Sequence, residues 1–137
     1  AMHYLATLDT PYGPESVAIS GNIVFAADGQ YSVRVIDITN PSAPFERSSI
    51  PIFHAGSGYY AQEVVVDGTT LYVGSEAYGK IALDVVDVGN ASAPVIRGSL
   101  VLAPGYPVGA GDLAVSGTLV YLTDTSTGLH VIDAATP

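Results

Sequence analysis

A segment that recurs three times constrains this chain more than any other feature of its sequence. Residues 35–44 read VIDITNPSAP, residues 85–94 read VVDVGNASAP, and residues 131–137 start the same pattern with VIDAATP. Self-similarity at a fixed period is typical of repeat architectures, in which each copy buries its apolar surface against its neighbours. Residues 1–137 are therefore predicted to form a single repeat domain.

Each copy predicts four short strands. The copies open near residues 16, 63 and 112 with an alternating run, a glycine-containing turn and a second run at hairpin distance. A polar loop leads into a third run that ends in the Val-Ile-Asp element, and a fourth run follows as FERSSIPI (45–52) or VIRGSLVLA (95–103). Four strands in roughly 45 to 50 residues is the size of a propeller blade. The predicted fold class is an all-β β-propeller.

The third copy has no fourth run, but HYLATLDT (3–10) stands before the first copy as FERSSIPI stands before the second. We predict blades over residues 11–52, 53–103 and 104–137, the last completed by the strand 3–10. Because natural propellers close with about 4–8 blades, three blades predict a two-fold homodimer that forms one six-bladed ring. The alternative is that the chain is part of a longer propeller.

The residues of the first copy also resemble a known family. VAISGNIVFAADGQYSVRVIDITNPSAP (17–44) is similar to the LVIVD repeat, whose pattern runs approximately V-A-V-S-G-x-x-A-Y-V-A-D and then G-L-x-V-I-D-V-S-N-P-x-x-P. The similarity extends over essentially the whole chain in three copies. It implies a β-propeller of bacterial or archaeal origin that is exported or attached to the cell surface, although the sequence itself does not fix the compartment. It implies no catalytic residue, because the family has no general catalytic signature.

Composition narrows the possible partners. With 13 acidic and 4 basic residues the net charge is −9, which repels nucleic acid and anionic membranes. The apolar runs are far shorter than the roughly 20 residues of a membrane-spanning helix, so no membrane insertion is expected. There is no cysteine and no nucleotide-binding motif, and the loops DGQYS (28–32) and DTSTG (124–128) supply one carboxylate each, too few for a calcium loop. We therefore predict no cofactor and no metal.

Two sets of recurring residues are predicted to be structural. An aspartate follows the third run of each copy, where it can accept backbone N–H groups and fix the turn. A glycine follows the first run, where the turn needs a positive φ. The aspartates are Asp37, Asp87 and Asp133, and the glycines are Gly21, Gly68 and Gly117.

The candidate binding surface lies in the loops that join one copy to the next. These are residues 9–16, 53–63 and 103–112, and the loops 28–32 and 75–80 are expected on the same rim. Tyrosine offers an apolar ring with a hydrogen-bonding tip, which suits sugars and protein partners. His54 is expected to be a solvated loop histidine. The candidate residues are Tyr12, Glu15, Tyr31, His54, Tyr59, Tyr60, Gln62, Glu63, Tyr78, Tyr106 and Asp112.

Two functions compete at this stage. The first is a non-catalytic binding or scaffold module that presents the tyrosine-rich, acidic loops to a carbohydrate or a protein. The second is a carbohydrate-active hydrolase or lyase that uses two carboxylates from Glu15, Glu63 and Asp112. The sequence favours binding, because it has no activated nucleophile, no paired histidines and few cations to stabilise a developing anion.

Overall fold

All regular structure in the described residues is β-strand, as predicted. The computed structural model describes residues 1–103, 105 and 109–137. No helix in this part of the chain is long and apolar enough to cross a membrane. The strands are β1 (Ser16–Ser20), β2 (Ile23–Ala27), β3 (Gly29–Gln30), β4 (Ser32–Asp37), β5 (Phe45–Pro51), β6 (Phe53–His54), β7 (Ser57–Gly58), β8 (Tyr60–Asp67), β9 (Thr70–Ala77), β10 (Lys80–Asp87), β11 (Val95–Leu102), β12 (Ala110–Ser116), β13 (Leu119–Asp124) and β14 (Gly128–Asp133).

Three antiparallel sheets follow one another along the chain. The first sheet has the order β1-β2-β4-β5, the second β11-β10-β9-β8-β3, and the third β12-β13-β14. Short turns join the first two strands of each sheet because Gly21, Gly68 and Gly117 have φ values of 56°, 57° and 60°, as predicted. Two elements were not predicted from the sequence. The short strand β3 leaves the first sheet to pair with β8, and β6 and β7 form a small hairpin in the connection between sheets.

The third sheet has three strands, whereas the first two each contain the full set of four. Residues 1–15 form no strand and lie mostly exposed to solvent in this single chain. The predicted pairing of residues 3–10 with the third sheet of a second chain, and the blade boundaries built on it, therefore stay predictions.

Two apolar clusters fill the spaces between neighbouring sheets. The first lies between sheets one and two and contains Phe25, Val35, Ile52 and Leu71. The second lies between sheets two and three and is built around Leu83 and Leu122 together with their neighbours. The second sheet is thus covered on both faces, which explains why six consecutive residues of β10, 81–86, are buried.

The outer faces of the first and third sheets expose apolar residues whose counterparts in the second sheet are buried. In the third sheet Leu129 is 61% exposed, whereas Leu83 at the same position of the second sheet is 3% exposed. In the first sheet Val17 is 65% exposed, whereas Val64 at the same position of the second sheet is 3% exposed. Each uncovered face therefore carries the residues with which the second sheet packs against a neighbour.

The three recurring aspartates cap the turns after the third strand of each sheet, as predicted. The Oδ1 atoms of Asp37, Asp87 and Asp133 accept hydrogen bonds from the backbone N–H two residues later, at 2.8, 3.0 and 3.0 Å. Arginine side chains add a second contact to Asp37 and Asp87. Because these carboxylates accept hydrogen bonds within their own turns, we infer that they stabilise the fold.

The Asp37 turn makes stability depend on pH. Thr39 lowers the pKa of Asp37 to about 2 through hydrogen bonds to the carboxylate, and Arg47 adds to this effect. An unfolded aspartate titrates near 3.9, so this stabilisation is complete above about pH 4 and disappears as the pH falls through about 2. We expect Asp37→Asn to lower the urea midpoint at pH 6 and to have much less effect at pH 2. Equal losses at both pH values would contradict this account.

Candidate functional site

The connections between sheets and the return loops between second and third strands meet on one rim, called here the loop face. The backbone N–H of Ile52 donates to the carbonyl of Tyr31 at 2.8 Å, and that of Glu15 donates to Ala27 at 3.0 Å. In the third sheet Thr125 donates to Gly109 at 3.3 Å. The loop face therefore comprises residues 11–15, 28–32, 52–63, 75–80 and 124–128, with 103, 105 and 109–112.

Three aromatic rings pack together on the loop face, beside the β6–β7 hairpin. The ring centroid of Tyr31 lies 5.7 Å from that of Phe53 and 5.5 Å from that of Tyr60, with the rings tilted. A Cβ on Gly58 would lie 2.3 Å from the Tyr31 ring, so glycine at this position lets the ring lie against the backbone. Sequence reasoning placed the two tyrosines on this face but did not include Phe53.

The other predicted tyrosines occupy different environments. Tyr12 and Tyr78 are exposed on the loop face, as a contact surface requires. Tyr59 is only 3% exposed and belongs to the cluster between the first two sheets, so its ring mainly stabilises the fold. Tyr106 lies outside the described residues.

His54 is not the solvated loop histidine that was expected. Its side chain is 10% exposed, and its Nε2 atom lies 3.1 Å from Oδ2 of the fully buried Asp84. The hydroxyl of Ser99 donates to the other carboxylate oxygen, and the edge of the Tyr59 ring contacts the imidazole with centroids 4.6 Å apart. Burial raises the pKa of Asp84, against the opposing effects of Ser99 and His54.

Comparison of the three sheets explains this pair. In the first sheet the buried Asp28 at the end of β2 receives a hydrogen bond from Arg34 of β4 at 2.9 Å. In the third sheet Asp124 and His130 make the equivalent pair. In the second sheet serine replaces the first aspartate and Asp84 occupies the position of the base. The connecting loop therefore supplies the missing partner, and His54 enters the sheet to give the buried Asp84 a second hydrogen-bond partner beside Ser99.

Several carboxylates gather where the inner strands begin. Burial raises the pKa of Glu63, and the charges of Asp112 and Glu15 raise it further, while a hydrogen bond with Ser16 opposes them. Burial and Glu15 likewise raise the pKa of Glu76, which sequence reasoning did not select. Across residues 1–103, 105 and 109–137, no three histidine, aspartate or glutamate side chains come together as a metal site would require.

The remaining predicted residue, Gln62, lies on β8 between the aromatic group and these carboxylates. Its side-chain oxygen is buried and accepts no hydrogen bond from the described residues. The side-chain amide of Gln62 lies next to Gly109, so Gln62 lies between the second and third sheets rather than among the exposed rings. The loop face thus has an aromatic part and an acidic part, and the predicted residues divide between them.

The three repeats match a family model. The model of the LVIVD repeat matches residues 14–50, 58–101 and 109–137, which together make up most of the chain. The chain belongs to the LVIVD repeat family. LVIVD repeats are associated with propeller-like folds, and three antiparallel sheets packed side by side agree with that association. No curated protein matches the chain.

Two designed proteins of known structure are similar to this LVIVD repeat chain to different degrees. The crystal structure of the computationally designed Ika8 protein matches with a TM-score of 0.64 at 20% identity, over 90% of this chain and 34% of the designed one. The chain therefore spans about a third of the length of Ika8. The crystal structure of the computationally designed Ika4 protein matches with a TM-score of 0.46 at 13% identity, over 97% of this chain and 99% of that one.

Proposed function

We propose that this LVIVD repeat chain is a non-catalytic binding module whose loop face contacts a carbohydrate or a protein at the surface of a cell or outside it. The observation that carries the proposal is the aromatic group of Tyr31, Phe53 and Tyr60, which is partly open to solvent. Exposed aromatic rings with polar tips are enriched where proteins bind partners. The expected location follows from the family resemblance.

The acidic part of the loop face favours a neutral or cationic partner. Burial is the main cause of the raised pKa of Glu63, and the nearby charges of Asp112 and Glu15 raise it further. Like charges held together in this way disfavour a polyanion and suit a neutral or cationic partner. A neutral glycan or a basic protein segment therefore fits most of the loop face better than nucleic acid does.

We further propose that a second copy of the chain completes the fold. The outer face of the third sheet and the outer face of the first sheet carry the same kinds of residue that pack together inside the chain. Two chains joined head to tail would bury both faces at two junctions and form a ring of six sheets. Residues 3–10 of each chain would then be the fourth strand beside β14 of the other.

The binding surface can be tested with Tyr60. We expect Tyr60→Ala to weaken the binding of a ligand from a glycan array or a protein-binding screen at least tenfold, because truncation of an aromatic hot-spot residue costs about 2 kcal/mol or more. Asn40→Ala provides the control, since Asn40 caps a turn on the opposite rim. Tyr59 is unsuitable for this test because its substitution would open a cavity in the core.

The outcomes separate the two functions. Binding that survives Tyr60→Ala but is lost in Asn40→Ala would show that the opposite rim makes the contact. Turnover of a bound glycan that is lost in Glu63→Gln would favour the alternative, a hydrolase or lyase, because a carboxyl group with a raised pKa is what general acid catalysis needs.

A further inference from the structure

A cleft of about 670 Å³ opens on the loop face between the β6–β7 hairpin and the strands β10 and β11. Its lining includes Phe53, His54, Tyr59, Tyr78, Lys80 and Ser99. This volume lies within the roughly 300–1,000 Å³ typical of small-molecule sites. The cleft therefore has the size of a site for a monosaccharide or a short oligosaccharide.

Lys80 makes this cleft electrostatically different from the rest of the surface. The chain has four basic residues, and Arg34, Arg47 and Arg97 each form an ion pair with an aspartate. In the described part of the chain no carboxylate lies within 4.0 Å of the Lys80 ammonium group. Among the lysine and arginine side chains of the described residues, Lys80 alone forms no ion pair, and it lines a cleft.

His54 contributes a fixed polar group to the same cleft. Its Nε2 atom faces the buried Asp84 at 3.1 Å, so Nδ1 is the ring nitrogen that remains for a ligand. The contact between the Tyr59 and imidazole rings holds the imidazole in place. A ligand hydroxyl would find a positioned hydrogen-bonding group here.

The border of the cleft combines exposed rings with strained backbone. Tyr78 is 73% exposed and Phe53 is 54% exposed. Ala55 and Tyr78, which also line the cleft, have φ values of 50° and 51°. Side chains other than glycine rarely adopt this conformation, which costs about 1–2 kcal/mol per residue, and such strain clusters at ligand sites. The rings are placed where the apolar face of a sugar could stack.

We infer that this cleft binds a sugar that carries a carboxylate, such as a uronic acid, with the carboxylate on Lys80 and the sugar face on Tyr78 or Phe53. The inference rests on the proposed binding function and narrows it to one cleft and one ligand class. The acidic part of the loop face would repel such a sugar, so the ligand is expected to bind with its carboxylate at Lys80.

The test compares methyl β-D-glucuronide with methyl β-D-glucoside, which lacks the carboxylate, by isothermal titration calorimetry. We expect the glucuronide to bind the protein and Lys80→Gln to weaken its binding about tenfold or more, as the loss of a charge-assisted contact would. Arg97→Gln is the matched control, because it removes the same charge from an exposed site outside the cleft. It is expected to change the affinity less than twofold.

Three results would overturn the inference. Equal binding of glucoside and glucuronide would show that the carboxylate is not recognised. Equal weakening by Lys80→Gln and Arg97→Gln would show that only the net charge matters. Failure of both sugars to bind, while a partner that depends on Tyr60 still binds, would reject the cleft and leave the proposed function standing.

Discussion

Light scattering of the 137-residue chain is expected to give twice the mass of one 14.0 kDa chain. The reason lies in the two uncovered faces. Leu129 and Val131 are 61% and 60% exposed in a single chain, whereas Val33 and Val35 are fully buried at the same positions of the first sheet. Each buried Val or Leu side chain stabilises a structure by about 1.5–3 kcal/mol, so a second copy that covers these faces at two junctions is strongly favoured.

Charges placed on these faces provide a sharp test. We expect Val17→Lys alone and Val131→Asp alone each to convert the dimer into monomers at micromolar concentration, because each buries an unpaired charge at both junctions. The doubly substituted chain is expected to regain part of the dimer, since the counterparts of positions 17 and 131 inside the chain, Val64 and Val35, belong to one apolar cluster. The matched control is Thr118→Lys in the glycine turn of the third sheet, because Thr118 is exposed and its counterparts Asn22 and Thr69 stay exposed in the first two sheets.

A result that would refute the ring is a monomer with the mass of one chain and a cooperative unfolding transition. A dimer that resists both single substitutions would show that the chains associate through another surface. A three-chain species would point to a ring of nine sheets, because the junction would be the same and only the closure would differ.

The repeat was sufficient to predict the main strands of the three sheets and the glycine turns between them. Alternating apolar residues fix which face of a strand is buried, and the aspartates at 37, 87 and 133 accept the backbone hydrogen bonds that were expected of them. These features depend on residues near one another in the sequence. Local patterns therefore suffice to predict them.

The site was predicted less well, because its contacts join residues that are distant in the sequence. His54 and Asp84 are thirty residues apart, and nothing in the loop itself shows that the histidine enters a sheet. An alignment of positions 34, 84 and 130 would have indicated that Asp84 needs a partner from elsewhere. The first and third copies have the basic residues Arg34 and His130 at this position, whereas the second copy has an aspartate. The alternation of residues 59–61, which leads into β8, would likewise have placed Tyr59 and Ala61 inward and Tyr60 outward.

The N-terminal segment offers the last and most direct test of the ring. In the first sheet Ile50 pairs with Val33, and Ser48 pairs with Val35. Alignment of HYLATLDT (3–10) with FERSSIPI (45–52) places Leu8 at the position of Ile50, opposite Leu129 of the other chain. Leu5 then takes the position of Arg47, whose side chain is partly exposed to solvent.

We therefore expect Leu8→Asp to dissociate the dimer and Leu5→Asp to leave it intact, although both substitutions add one charge to the same segment. Each junction would lose the burial of a leucine and gain a buried unpaired carboxylate, a combined cost of at least about 3 kcal/mol. Two junctions then raise the dissociation constant by about four orders of magnitude. Sedimentation velocity over a range of concentrations measures this directly. Equal effects of the two substitutions would mean that residues 3–10 do not pair as a strand with this register, and a dimer that survives deletion of residues 1–10 would mean that they do not complete the third sheet.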